Sequence, residues 1–279
     1  MVTSLDQIKV SGEDGKAPKV EGAWPLAIAK TESKVLKEGT GEKVDKNATL
    51  KVNYVGVNGR TGKEFDSSYK RGTTADFPLA QVVPGFAKGL VGKHQGDRVL
   101  IMMPGSDGYD SQGGAPQAGI MKGDSLIFVV DIVAIPLPKA TGETVKPAAG
   151  LPTVKEVQGA PAVTIGKATK PNKLVVQPLI KGKGAAVTAH DSIDVKYRTY
   201  AWSSGELIED GYSAEPVTGS MNSVIPGWKK GLIGQTVGSR VMLIVPPADA
   251  YPNGSTNPPV KKGETLIYVI DILSAQKES

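Results

Sequence analysis

The sequence predicts an α+β chain made of two tandem copies of one domain, each an antiparallel sheet with one short helix laid across it. Three observations carry this reading: an internal repeat, β-branched runs punctuated by Gly and Pro, and one helix-like segment in each copy.

The repeat has a period of about 140 residues, too long for a solenoid and right for a duplicated domain. YVGVNGRTGKEFDSS from Tyr54 matches YRTYAWSSGELIEDG from Tyr197, and VVPGFAKGL from Val82 matches VIPGWKKGL from Val224. QGDRVLIMMPGSDGY, ending at Tyr109, matches VGSRVMLIVPPADAY, ending at Tyr251. KGDSLIFVVDI from Lys122 matches KGETLIYVIDI from Lys262. The order and the intervals agree in both halves, which sets the first domain at 1–135 and the second at 153–279. PLPKATGETVKPAAGLP, from Pro136 to Pro152, has no apolar periodicity and reads as a semi-extended linker. Upstream extensions, LDQIKVSGEDGKAPKV and LPTVKEVQGAPAVTI, are expected to add a strand to each unit.

Within a copy, LKVNYVGV and RVLIMM alternate or cluster apolar residues over strand-length spans, while NGRTG and SSGE are turn signals. VVPGFAKGL and VIPGWKKGL differ in kind. Pro84 and Pro226 suit a first helical position, Gly92 and Gly234 suit the stop beyond, and Phe86/Leu90 and Trp228/Leu232 fall one turn apart on one face.

Composition narrows the function. The net charge of +5 comes from scattered lysines, with no basic run interleaved with aromatics, so nucleic-acid binding is not indicated. No stretch has the length of a transmembrane helix. The start, MVTSLDQIKV, reads as a trimmed or mature chain rather than a native precursor. The absence of cysteine excludes disulfides and thiol catalysis. His94 and His190 lie in polar turns without further ligands, so no metal is expected. SDGYDSQGG lacks the spacing of a calcium loop, KGKG at Lys181 lacks a phosphate-loop pattern, and Ser203 and Ser204 lack a His/Asp partner.

The Y-x-G and GKEFDSS segments, the V-V/I-P-G-F/W helix, the Pro-to-Tyr loop and the closing LIFVVDI strand together resemble the FKBP-type peptidyl-prolyl isomerase family over roughly 100 residues of each copy. The resemblance implies a curved sheet wrapped around the helix, an apolar pocket between them, and no cofactor. By resemblance the first pocket is lined by Tyr54, Phe65, Asp66, Phe77, Val82, Val83, Phe86, Tyr109, Ile120 and Phe128. Phe86 stands where the family most often has Trp, and Ala75 where an aromatic is usual. The second pocket keeps Tyr197, Val224, Ile225, Trp228, Tyr251 and Tyr268, but Ile208, Glu209 and Gly219 stand for Phe65, Asp66 and Phe77.

The resemblance implies isomerisation of X-Pro bonds in unfolded or exported polypeptides, chiefly by the first domain, with macrolides such as tacrolimus as candidate ligands. The two-copy layout with upstream extensions resembles secreted or surface-anchored actinobacterial members of the family, so an extracytoplasmic, secreted or surface-anchored location is expected, a cytoplasmic one being the alternative. Such rotation breaks no covalent bond and needs no nucleophile, metal or acid–base pair. The rival reading is a binding or chaperone module that holds proline-containing peptides without turnover, and it fits the divergent second copy best.

Overall fold

A computed structural model of the chain describes residues 4–13 and 15–278, so the first three residues of the MVTSLDQIKV start lie outside it. The chain divides into two compact units, Met1–Pro136 and Leu137–Ser279.

In the first unit, β1 (Lys9–Ser11) and β2 (Lys19–Glu21) precede β3 (Glu32–Lys37), β4 (Thr49–Asn58) and β5 (Glu64–Ser67). A one-turn α1 (Ser68–Arg71), β6 (Ala75–Pro78), the helix α2 (Pro84–Leu90) and β7 (Arg98–Met103) follow, then the short β8 (Gly114–Ala115) and β9 (Ile120–Met121), and the long β10 (Leu126–Ala134). The main sheet runs β3-β7-β10-β4-β5, with β6 pairing the other end of β4, all antiparallel.

The second unit repeats this plan. β11 (Glu143–Thr144), β12 (Thr153–Val157) and β13 (Ala160–Thr164) lead into β14 (Val175–Lys181), β15 (Asp191–Ala201), β16 (Leu207–Asp210) and β17 (Val217–Ser220). α3 (Pro226–Leu232), β18 (Arg240–Val245), β19 (Ser255–Thr256), β20 (Pro259–Val260) and β21 (Leu266–Lys277) complete it. Its sheet runs β11-β14-β18-β21-β15-β16, with β17 on β15.

The apolar runs that predicted strands are nearly continuous because both faces of each sheet are buried. Along β10, Leu126, Phe128 and Val130 meet Phe86 and Leu90 of α2, while Ile127 and Val129 enter a separate layer with Leu5, Ile8, Leu26 and Ile28. The upstream extension therefore does something other than expected. β1 and β2 pair with each other, Val10 opposite Val20, and cover the face of the sheet away from the helix. In the second unit β12 and β13 do the same, Val154 opposite Val163, with Leu151 and Ile165 beside Met242, Ile244, Ile267 and Val269. A hairpin with its own turn satisfies its backbone internally and can lie flat on an apolar face, which an added edge strand could not cover.

The stretch 136–152 is likewise no free spacer. Its backbone is tied to the second unit: Leu137 N–H donates to Leu273 O (2.8 Å), Thr141 N–H to Gly238 O (2.8 Å) and Val145 N–H to Leu179 O (2.9 Å). β11 pairs along the edge of β14, and the Ala148 N–H donates to Gln177 Oε1 (2.9 Å). Edge pairing uses main-chain groups, so it leaves no periodic pattern in the side chains.

Each unit also sets an arginine–aspartate pair across its central strands, half-buried in the first unit and buried in the second. Arg98 is bidentate to Asp131, and Arg240 Nε and Nη2 reach Asp271 at 2.6 and 2.9 Å. Asp271 is 1% exposed, so its charge depends on that fork. Arg240→Met is expected to cost about 3–5 kcal/mol by stranding Asp271, whereas Arg240→Met with Asp271→Leu should recover most of the loss. Urea unfolding of the full chain, read at Trp202 and Trp228 of the second unit, measures both, and equal losses would contradict the argument.

Candidate active site

The first pocket gathers side chains from seven segments on the helix side of one sheet. Phe128 on β10 stands opposite Gly56, and Val130 opposite Tyr54, so Tyr54 and Phe128 share a face. Leu50 opposite Phe77 brings β6 in from the far end of β4. The ring of Phe86 on α2 lies 4.6 Å from those of Phe77 and Phe128, and Tyr54 lies 5.2 Å from Phe77. Phe65 meets Phe128 edge-on at 5.5 Å. Val82, Val83, Tyr109 and Ile120 pack against this cluster, and Asp66 joins it through Tyr54, so all ten expected residues come together.

Gly56 makes this packing possible. A Cβ there would stand 2.7 Å from Phe65 and 2.9 Å from Phe128, closer than real side chains allow.

One edge of the pocket is polar and fully connected. The Tyr54 hydroxyl donates to Asp66, and Arg71 donates to Asp66 and, at 3.0 Å, to the Tyr54 oxygen. The Ser67 N–H also donates to Asp66, at 2.8 Å. Burial pushes the Asp66 carboxyl up, but Tyr54 and Arg71 outweigh it and hold it below the usual carboxylate value. The Tyr54 hydroxyl is pushed up to about 12, first by burial and then by Asp66. Beside them, the N–H of Val83 and the hydroxyl of Tyr109 make no hydrogen bond among the described residues.

The second pocket keeps the frame and changes the lining. Tyr197, Glu209, Ser223, Val224, Ile225, Trp228, Tyr251 and Tyr268 surround a cavity of about 230 Å³, and Ile208 packs against its wall. Trp228 stands perpendicular to Tyr197 (5.1 Å, 86°) and to Tyr268 (5.5 Å, 89°). Ile193 opposite Gly219 repeats the register of Leu50 opposite Phe77, so a glycine does occupy the Phe77 position. A Cβ on Gly219 would meet nothing closer than Val224 at 3.7 Å. Thr199 occupies the place of Gly56, and its hydroxyl donates to Glu209 at 2.9 Å. Among the described residues the buried Trp228 indole N–H has no partner.

The sequence pattern of the FKBP-type peptidyl-prolyl cis-trans isomerase family matches residues 40–133 and 183–273, which hold the helix and the pocket-lining strands of each unit. The chain belongs to this family. A Streptomyces anulatus protein named FK506-binding protein is 40% identical over 100 residues, which are 35% of this chain and 80% of that one. A Corynebacterium glutamicum protein named probable FK506-binding protein is 35% identical over 97 residues, 34% of this chain and 79% of that one. FkpA of Escherichia coli K12, an FKBP-type peptidyl-prolyl cis-trans isomerase, is 36% identical over 107 residues, 38% of each chain.

Both FKBP domains carry site residues that sequence reasoning passed over. Arg71 sits on α1, five positions after Asp66, and that one helical turn is what swings it back to the carboxylate. Ser223 lines the second pocket, and Val260 on β20 fills the core position that Ile120 on β9 fills in the first. The residues weighed for other chemistry have structural partners. Asp107 holds Lys88 at 2.6 Å and Thr31 at 2.5 Å, Asp110 accepts from the Gly123 N–H at 2.7 Å, and Ser203 donates to Glu264. Among the described residues no group of three His, Cys, Asp or Glu side chains is placed to hold a metal ion, and no helix is long and apolar enough to cross a membrane.

The depressed folded-state value of Asp66 makes the Tyr54 anchor complete above the ordinary aspartate value of about 3.9. The anchor is lost as pH falls through the lower, folded value. Followed by carbon-13 NMR in the full chain, Asp66 is expected to titrate below its ordinary value. In Arg71→Ala the titration should move upward, because burial then opposes the charge with less compensation. An unmoved titration would remove Arg71 from this account.

Proposed function

We propose that the first FKBP domain catalyses cis/trans rotation about X-Pro bonds and that the second holds proline-containing segments with little turnover. The observation that carries this is the difference in lining: a closed set of phenyl rings beside a neutralised carboxylate in the first pocket, hydroxyl-bearing rings and a glycine gap in the second.

Rotation faces a barrier of about 20 kcal/mol between states that differ by about 1 kcal/mol. The planar amide is stabilised by charge separation that water supports and an apolar wall does not. The twisted amide has lost that resonance, so a dry pocket disfavours it less and binds it better by difference. Phe65, Phe86 and Phe128 would enclose the proline ring and exclude water. The free Val83 N–H would donate to a carbonyl of the bound segment, and the free Tyr109 hydroxyl is a second donor at the rim. Asp66 accepts from Tyr54 and Arg71, and it acts by fixing the Tyr54 ring rather than by taking a proton. Removing about 5 kcal/mol from the barrier would speed rotation more than a thousandfold.

In the second domain the Tyr268 hydroxyl stands where the first has a bare phenyl ring, and it brings water-like contacts to the amide. That favours binding over rotation, since the planar form is then less penalised. The named activity of the relatives towards FK506 extends to this chain as the further proposal that a macrolide such as tacrolimus occupies the first pocket.

The test is isomerisation of a short X-Pro peptide by the full chain and two variants, each checked for folding by near-UV circular dichroism. Phe65→Ala with Asp66→Ala is expected to lower kcat/KM by roughly 10- to 100-fold, the loss of about 1.4–2.8 kcal/mol of transition-state binding. Tyr268→Ala should change it by less than about twofold. A folded Phe65/Asp66 variant with near-normal activity would place catalysis elsewhere. Absence of activity in the unaltered chain, across several residues before proline, would favour the binding-module reading for both copies.

A further inference from the structure

The two pockets differ most in charge. In the first domain the wall carboxylate, Asp66, is neutralised by Arg71. The matching carboxylate of the second, Glu209, lines the cavity, and its partners among the described residues are hydroxyls: Tyr197 at 3.3 Å and Thr199 at 2.9 Å. Among the described residues it has no ion pair, and no Lys, Arg or His lines the cavity with it. Lys230, on the helix that forms the floor, is already held by Asp249 at 2.6 Å.

Around this uncompensated charge stand four electron-rich rings, those of Tyr197, Trp228, Tyr251 and Tyr268. Trp228 is nearly perpendicular to two of them, so ring faces and ring edges both border the same space. Ring faces attract cations, and a carboxylate among them strengthens the attraction in a partly dry site. Burial raises the hydroxyls of Tyr197 and Tyr251, and the charge of Glu209 raises both further with no cation opposing it; in the first domain Arg71 opposes the same effect on Tyr54. Meanwhile Val224, Ile225 and the Trp228 ring leave an apolar floor of the kind a proline ring fills.

We propose that the second pocket selects proline segments with a basic residue, Lys or Arg, adjacent to the proline, the cation resting between Glu209 and the tyrosine rings. This rests on the reading that the pocket holds proline segments, and it assigns the two domains different clients. The first, with its carboxylate paired, is indifferent to charge beside the proline.

The test uses the full chain labelled with nitrogen-15, following the Trp228 indole N–H, assigned through Trp228→Phe. Short blocked peptides with Lys-Pro, Arg-Pro, Leu-Pro or Glu-Pro at their centre are titrated in turn. The basic peptides are expected to bind about tenfold more tightly than Leu-Pro, as an attraction of about 1.4 kcal/mol gives. Glu-Pro should bind more weakly than Leu-Pro, and the differences should shrink as salt is raised to about 0.5 M. In Glu209→Gln the ratio of Lys-Pro to Leu-Pro affinity should fall towards one. Equal affinities for all four peptides in the unaltered chain would overturn the charge selection and leave the proline-binding reading standing. A Trp228 signal that no peptide moves would overturn both. A ratio that persists in folded Glu209→Gln would take the selection away from Glu209, and if that variant does not fold, the affinity ranking and its salt dependence in the unaltered chain decide.

Discussion

The central strand of each domain sends alternate side chains into two separate hydrophobic layers, and the rest of the structure answers to that double burial. Phe128 and Val130 face the helix, while Ile127 and Val129 face the β1–β2 hairpin. Tyr268 and Ile270 face α3, while Ile267 and Val269 face the β12–β13 hairpin. A sheet covered on one side only would leave a large apolar face in water, a cost of about 25 cal/mol for each Å². The hairpins remove that cost without using the helix side. The pocket is thus free to be lined by residues chosen for binding, while its backbone frame is held from behind.

This division explains why one part of the fold was legible in the sequence and another was not. The duplicated Tyr, Phe and Pro-Gly-aromatic positions lie on strands and a helix whose periodicity is dense, so their convergence on one pocket follows from register once the strands are placed. The hairpins are short and mostly polar, with a few inward residues such as Val10 and Val20, and nothing in so sparse a pattern tells a covering hairpin from an added strand. The 137–150 stretch docks through main-chain groups and through the buried Ala140, which carry almost no pattern. Arg71 escaped notice because its role depends on a single helical turn that reverses the chain.

The divergence of the two pockets is coupled, and the coupling has a steric origin. Gly56 leaves room for the rings of Phe65 and Phe128 to meet over the backbone. Thr199 closes that room with a side chain, and Ile208 stands where Phe65 does. The Thr199 hydroxyl then supplies Glu209 with a partner, so a longer carboxylate can stand in the wall with no arginine beside it. On the floor, the larger Trp228 accompanies the loss of the phenyl ring at Gly219, as volume exchange between facing positions requires.

On the function proposed above, these exchanges would turn one frame to two uses. The first pocket pairs the Asp66 charge with Arg71, so what it would offer a segment is shape and dryness, the conditions that discriminate a twisted amide from a planar one. The second leaves Glu209 without an ion pair among the described residues and adds the Tyr268 hydroxyl, contacts that would hold a segment in whatever form it arrives. Binding energy that is equal for the planar and the twisted amide raises affinity and leaves the barrier where it was. A pocket that gains contacts of that kind would gain retention at the expense of turnover, and the unpaired Glu209 and the Tyr268 hydroxyl are the contacts that the first pocket lacks.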